Sequence, residues 1–351
     1  MKKNKDSIIL GIESSCDDTS AAILKNGILL SNVTANQKVH EKYGGVVPEL
    51  ASRAHQENIV PTVETAIKEA HIELSDLTSI AFTKGPGLLG SLLVGTSFAK
   101  SLSMSLDIPL LEVHHMKAHV HAHFIQEKEV DYFPPSYPFL CLTVSGGHTQ
   151  IVLVNSPLDM EIIGQTIDDA IGEAFDKAGK LLGLGYPAGP SIDHYAKNST
   201  EQKYHFTFPK VSGLNYSFSG LKTQFLYFLN EEKNKNPLFI KQELNDICAS
   251  YQSHLIDYLL IKFKLALEMY PCKDIAIAGG VSANTHLREK FTKLGVQNGL
   301  NVHIPKMSFC TDNAAMIAMS GFFLEKEGVF ADLSVSAKAR LRMYPSLIVS
   351  Y

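Results

Sequence analysis

One design, strand–polar turn–strand, is used twice along this chain. Ser7-Ile8-Ile9-Leu10-Gly11-Ile12-Glu13 reads as a buried strand, Ser14 to Ser20 as a polar turn, and Ala21-Ala22-Ile23-Leu24 as a second strand. About 130 residues later the pattern returns: strand Phe139 to Val144, turn Ser145-Gly146-Gly147-His148-Thr149, strand Gln150 to Val154. Asn26-Gly27 predicts a tight hairpin into Ile28-Leu29-Leu30 after the first unit. Helical segments fill the spaces between. Pro48 suits the first turn of a helix from Glu49 to about Ala70, kinked near Pro61. Ile171, Ala174, Phe175, Ala178, Leu181 and Leu182 share one helix face that Gly183 ends, with Asp168-Asp169 as its expected cap. Strands alternating with helices predict an α/β fold of two related lobes, and Pro134-Pro135 with Pro138 marks the junction. The 351 residues are enough for two such lobes.

Composition narrows the function. Lys+Arg 32 against Asp+Glu 36 gives a net charge of −4, so nucleic acid cannot be gripped by bulk positive charge. A local patch such as Lys338, Arg340 and Arg342, or a second protein, would have to supply it. Five cysteines without a CxxC pair argue against a disulfide framework or a thiolate zinc knuckle. The apolar stretch after Lys2-Lys3-Asn4-Lys5 is broken at once by Glu13, Asp17 and Asp18, and no run reaches membrane-spanning length. A cytoplasmic chain without a membrane segment is expected.

Several motifs carry chemistry. Gly85-Pro86-Gly87-Leu88-Leu89-Gly90 matches G-x-G-x-x-G, but Pro86 inside the turn favours a plain tight turn or a phosphate-facing loop over a dinucleotide site. No Walker motif is present. The glycine turns at Ser145-Gly146-Gly147 and Gly279-Gly280 follow apolar strands, where backbone amides can approach a phosphate, and Asn284 carries an amide able to read a ligand. The densest chemistry is His114 to His123, five histidines in ten residues. His115 and His119, or His119 and His123, share a helix face. Either pair with a distant carboxylate, for which Asp312 in Thr311-Asp312-Asn313 is a candidate, makes a two-His, one-carboxylate metal site with open positions. The HExxH of metalloproteases is absent, because Met116 stands at its Glu position. Asp17 and Asp18 at the tip of the first turn could hold a metal or steer a nucleophile, while Asp176 and Asp193 could equally be helix caps.

Taken together, these segments resemble one family. Ile12-Glu13-Ser14-Ser15-Cys16-Asp17-Asp18-Thr19, Tyr43 to His55, Gly85-Pro86-Gly87, His115 to His119, Val144 to Gln150, Gly172 to Lys177, Phe218 to Thr223, Gly279 to Asn284 and Thr311-Asp312-Asn313 look like the TsaD family of tRNA N6-adenosine threonylcarbamoyltransferases, in the family's order. The resemblance implies an actin-like (ASKHA, ribonuclease H-like) fold: a first lobe over 1–133, a second over 134–333 with a metal and nucleotide cleft between them, and a segment 334–351 returning to the first lobe. It implies transfer of threonylcarbamoyl from threonylcarbamoyl-AMP to N6 of the adenosine beside the anticodon, in tRNAs reading codons that begin with adenine.

Family metal ligands map onto His115, His119 and Asp312, for one divalent ion, Fe(2+) ahead of Zn or Mg. Family substrate positions map onto Thr143, Val144, Ser145, Gly146, Gly147, Asp176, Gly189, Asp193 and Asn284, and Asp17 is the candidate for steering the amine. Implied partners are tRNA, a TsaB-like inactive paralogue and a TsaE-like P-loop ATPase. The family's usual His-Met-Glu-Gly-His is His-Met-Lys-Ala-His here, Asp18 stands where Glu is common, and Ala188 where Gly is. Lys117 lies about 200° round a helix from His115, pointing away from the metal. The rival reading is an actin-like scaffold or sugar-kinase-like protein without tRNA transferase activity; the paralogous scaffold lacks the His pair and the Asp, and this chain has all three.

Overall fold

The computed structural model describes residues 6–37, 40, 43–128, 130, 133–199 and 202–343. It divides into two compact units, one of Met1–Pro134, Ser156–Met160 and Pro305–Tyr351, the other of Pro135–Asn155 and Glu161–Ile304.

In the first unit the chain runs β1 (Ile8–Glu13), β2 (Thr19–Lys25), β3 (Ile28–Ala35), α1 (Pro48–Glu69), β4 (Ser79–Gly85), α2 (Leu89–Leu106), β5 (Leu110–His114), α3 (His115–His121) and β6 (Gln126–Glu127). The sheet order is β5-β4-β1-β2-β3-β6. β1 pairs antiparallel with β2 and parallel with β4. Asn26 and Gly27 both take positive φ, 52° and 87°, which the tight hairpin requires. α1 starts at Pro48 as expected and continues through Pro61 as one helix.

β1 is buried along its whole length, because both faces of its sheet are covered. Leu10, Ile12, Ile23 and Phe82 pack with Ile59 and Val63 of α1 and Ala99 of α2. The alternate residues Ile9, Ala22, Leu24 and Ala81 pack with the helix that follows Asp312. A strand buried on both sides needs a continuous apolar run rather than alternation, and Ile8 to Ile12 is such a run.

The second unit contains β7 (Phe139–Val144), β8 (Thr149–Val154), β9 (Met160–Gln165), α4 (Ile171–Leu182), α5 (Ala188–Ala196), α6 (Ser219–Lys235), α7 (Phe239–Met269), β10 (Asp274–Ala278), α8 (Thr285–Asn298) and β11 (Asn301–His303). Its sheet order, β11-β10-β7-β8-β9, repeats β5-β4-β1-β2-β3 strand for strand. β7 pairs antiparallel with β8 and parallel with β10, as β1 does with β2 and β4. The twofold design of the sequence is therefore a twofold design of topology.

Two expectations need correction. The family resemblance places residues 305–333 in the second lobe, but α9 (Ala314–Lys326) belongs to the first unit, as do Ser156–Met160. The reason is packing: the Ala/Met face of α9 fits close against β1, where Gly11 leaves no side chain in the way. Residues 334–343 are also in the first unit, Lys338 N donating to Lys84 O at 2.8 Å and Gly87 N to Ala339 O at 3.1 Å; 344–351 lie outside the described residues. The second correction concerns Asp168, which does not cap α4. Thr149 Oγ1 accepts from Ile171 N there, and the Asp168 carboxylate instead accepts from Phe218 N, Ser219 N and both serine hydroxyls at the start of α6. Asp168→Ala is expected to cost about 1–2 kcal/mol, the upper range for losing a helix cap, read as a lower urea midpoint with unchanged slope.

His254 on α7 makes the second unit acid-sensitive. It stacks on Phe208 at 4.4 Å, and burial pushes its imidazole down to about 4, against a smaller opposing pull from Asp257 and a hydrogen bond to the Thr207 backbone. The folded state thus favours the neutral ring. Its contribution is intact above the ordinary value of 6.5 and is lost as pH falls from 6.5 towards 4. In thermal melts across that window, His254→Phe is expected to lose less stability on acidification than the parent; parallel curves would refute the assignment.

No described helix is long and apolar enough to cross a membrane.

Candidate functional site

The metal candidates are brought together by two helix starts in the first unit. β5 leads directly into α3, whose first turn is held by His114, its Nδ1 accepting from Met116 N at 3.2 Å. One turn apart on α3, His115 and His119 stand edge to face with ring centroids 4.8 Å apart. Asp312 arrives from the turn before α9, where Asn313 caps the helix by accepting from Met316 N at 3.0 Å. His115 Nε2 lies 3.4 Å and His119 Nε2 3.2 Å from Asp312 Oδ1. The three candidate ligand atoms fall within 4.8 Å of one another, and this is the group found among the described residues.

Behind the triad sits Glu13, which the sequence reading did not single out. It closes β1 fully buried. Oε1 accepts from Ser15 N at 2.5 Å, and Oε2 accepts from Thr83 Oγ1 at 2.7 Å and lies 3.0 Å from His115 Nδ1. A carboxylate on Nδ1 fixes the ring and leaves Nε2 to face a metal. The available signal was a lone acid ending an apolar strand, for a buried charge needs a partner.

The electrostatics favour a cation. Burial disfavours the charged form of His115, yet Asp312 and Glu13 hold its imidazole well above the ordinary value. Burial likewise raises both acids, but His115 outweighs it and keeps Glu13 and Asp312 below theirs. Asp18 is pushed up to about 7 by burial and then by the charges of Asp17 and Asp312. The acids crowd one another, as they do where a cation belongs. His119 is buried, and beyond its approach to Asp312 neither ring nitrogen has a hydrogen-bond partner among the described residues. A buried imidazole so placed calls for another partner. Two imidazole nitrogens and one carboxylate oxygen fit a divalent metal with open positions. Glu13→Gln keeps the side-chain size but weakens the brace on His115, so metal affinity is expected to fall about 10–100-fold, measured by chelator competition.

The other histidines of the run go elsewhere. His121 bonds Ser320 Oγ at 2.7 Å and Pro157 O at 2.8 Å. His123 falls in a short turn after α3 and does not join the group with Asp312, which decides between the two candidate pairs. Asp17 sits half-buried in the turn between β1 and β2. That turn is braced by His55, whose Nδ1 lies 2.7 Å from Thr19 Oγ1 and Nε2 3.1 Å from Cys16 O. The 85–90 glycine loop is a structural turn: Gly87 and Leu88 amides bond Ala339 O and Ser15 O, and a Cβ on Gly87 would meet Ser15 O at 2.4 Å.

In the second unit, Thr143 and Val144 end β7, buried, and Ser145-Gly146-Gly147 turn into β8. Ser145 N donates to His148 O at 2.8 Å, whereas the exposed Gly146 and Gly147 carry no side chain, have open space at their Cβ positions, and donate no amide hydrogen bond among the described residues. Asp176 Oδ1 accepts from Ala188 N at 2.8 Å and the carboxylate also takes the Gly189 amide, and burial raises its carboxyl. Asp193 accepts from Thr285 Oγ1 at 2.8 Å and pairs with Lys197. Asn284 caps α8, accepting from Leu287 N at 3.0 Å, and donates to Gln252 Oε1 at 2.7 Å. These three polar side chains therefore hold the starts of α5 and α8.

Comparison with known proteins places the chain. The family described as TsaD, tRNA N6-adenosine threonylcarbamoyltransferase, matches residues 28–319. A tRNA N6-adenosine threonylcarbamoyltransferase from Riemerella anatipestifer is 56% identical over 339 residues, 97% of this chain and 99% of that protein. One from Porphyromonas gingivalis is 56% identical over 337 residues, 96% and 99% respectively. The solved structure of T. kodakarensis HypF is similar at a TM-score of 0.61 and 16% identity, over 94% of this chain and 49% of that one. That likeness concerns the fold, which is the actin-like α/β architecture the duplicated sheets display. With the matched stretch spanning most of both units and containing His115, His119 and Asp312, the chain belongs to the TsaD family of tRNA N6-adenosine threonylcarbamoyltransferases.

Proposed function

We propose that this chain transfers the threonylcarbamoyl group from threonylcarbamoyl-AMP to N6 of the adenosine adjacent to the anticodon, in tRNAs reading codons that begin with adenine. The observation that carries the reading is the convergence of His115, His119 and Asp312, braced by Glu13, in a chain whose near full-length relatives bear this activity's name. The triad also speaks against the scaffold reading, since a scaffold has no use for an assembled metal site.

An exocyclic adenine amine is a weak nucleophile, so the acyl donor must come activated and the amine must be held in line. The new bond joins N6 to the carbamoyl carbon, the bond from that carbon to the phosphate oxygen breaks, and AMP leaves with the electron pair. A bound divalent metal, Fe(2+) ahead of Zn or Mg, would supply Lewis-acid and template chemistry. His115, His119 and Asp312 would hold it, with Glu13 fixing the His115 ring. The Gly146 and Gly147 amides, without acceptors among the described residues, would take up donor phosphate or carbonyl charge, while Thr143, Val144 and Ser145 shape that turn. Asp176, Gly189, Asp193 and Asn284 would set the helix starts beside the nucleotide. Asp17 would accept a hydrogen bond from the N6 amine and receive its proton as the bond forms.

The partner set of the reading is tRNA, a TsaB-like inactive paralogue and a TsaE-like P-loop ATPase, in the cytoplasm. Lys338, Arg340 and Arg342, all exposed, would add local positive charge for the tRNA. The test is incubation of the protein with unmodified tRNA, threonylcarbamoyl-AMP and the two partners, followed by mass spectrometry of a nuclease digest. Threonylcarbamoyladenosine that appears with the parent and disappears with Asp17→Asn supports reaction and residue together; no product at all would favour the scaffold.

A further inference from the structure

A pocket outside the metal triad lies in the first unit, lined in part by Lys117 and His121 of α3. It has a volume of about 430 Å³, within the range of small-molecule sites. Its walls come from the ends of β4 and β5, from Lys117 on α3, from α9, and from the chain at 341–343. Val113, Leu158, Leu324 and Leu341 make most of the lining apolar.

The polar groups are unevenly committed. His121 is saturated by Ser320 and Pro157, and His114 by Met116 N and Leu341 O. Neither ring is left to read a ligand. Lys84 is matched by Glu112 at 2.7 Å. Lys117 differs: it is half-buried, donates to Leu158 O at 3.1 Å, and makes no ion pair among the described residues, although the charge of Asp159, next in the chain to Leu158, acts on it. An ammonium has three donors, so two remain for a ligand. Arg342 at the rim is exposed and also makes no ion pair among the described residues. The pocket therefore couples apolar walls to two cationic side chains, Lys117 and Arg342, that make no ion pair among the described residues.

We propose that this pocket binds a small amphipathic carboxylate, its anionic head on Lys117 and Arg342 and its apolar body against Leu324 and Leu341. An uncharged apolar molecule would leave the Lys117 donors unpaired, and a free inorganic anion would leave the walls wet; a short-chain carboxylate satisfies both.

The experiment is calorimetric titration of the full chain with hexanoate and, as the uncharged isostere, hexanamide. Hexanoate is expected to bind saturably at one site, with hexanamide at least tenfold weaker. Lys117→Met should weaken hexanoate at least tenfold while leaving hexanamide nearly unchanged. Arg342→Met, at an exposed position where folding is not at risk, should weaken it severalfold. Equal binding of the two probes, hexanoate binding indifferent to both substitutions, or no saturable binding would each overturn the proposal.

Discussion

His119→Ala is expected to give a folded protein that no longer retains divalent metal and no longer forms threonylcarbamoyladenosine. Each ligand of a three-residue site carries a large share of the affinity, so the loss should exceed the roughly 10–100-fold of an outer partner such as Glu13. Folding should survive, because His119 makes no hydrogen bond that the rest of the unit depends on. Metal content after desalting, measured by mass spectrometry, checks the first half. A thermal shift checks it independently: a ligand present at about 100 times its Kd adds about 2.7 kcal/mol of stability. That metal-dependent rise should appear in the parent and vanish in the variant. Stoichiometric metal in His119→Ala with unchanged affinity would remove His119 from the site.

Gly11→Val should be as damaging without touching a ligand. A Cβ on Gly11 would stand 2.4 Å from Ala314 O and 2.7 Å from Ala318 N, both backbone atoms of α9. Backbone cannot rotate aside as a side-chain tip can, so α9 must move off β1. Overpacking of this kind costs about 1–3 kcal/mol, and occasionally more. Asp312 lies two residues before α9, so a displaced helix also carries it away from His115 and His119. Lower stability together with weakened metal retention is the expected result, by denaturant titration and by metal content. Gly146→Ala is the control: nothing lies within 4 Å of its Cβ position, so stability should change by less than about 0.5 kcal/mol.

Both predictions involve Asp312, which α9 carries to its place, a relation that sequence order hides. The apolar run of β1, the Asn26-Gly27 hairpin and the helix from Pro48 are local: a strand's burial, a turn's positive φ and proline's fixed φ each act within a few residues. The duplicated strand-turn-strand pattern predicted two related units, and their sheets have the same strand order. The i, i+4 spacings of His115, His119 and His123 are equally local and leave two candidate pairs for Asp312, of which the family resemblance points to His115 and His119. The assignment of α9 to the second lobe failed because an apolar helix face shows that it will be buried, without showing against which sheet. Asp168 was placed at the wrong helix for the same reason, its acceptors serving amides about fifty residues away.

The sequence alone carries the strand and helix pattern, its duplication, the candidate metal-ligating residues and the family resemblance. Folding in three dimensions brings His115 and His119, rather than His119 and His123, to Asp312: the helix ends at His121, and His123, in the short turn after it, does not join the group. Folding also decided that Glu13 braces His115 and that Asp176, Asp193 and Asn284 hold helix starts. Periodicity is a property of neighbours along the chain, whereas a buried carboxylate's partner is set by which distant backbone and ring nitrogens the packing delivers to it.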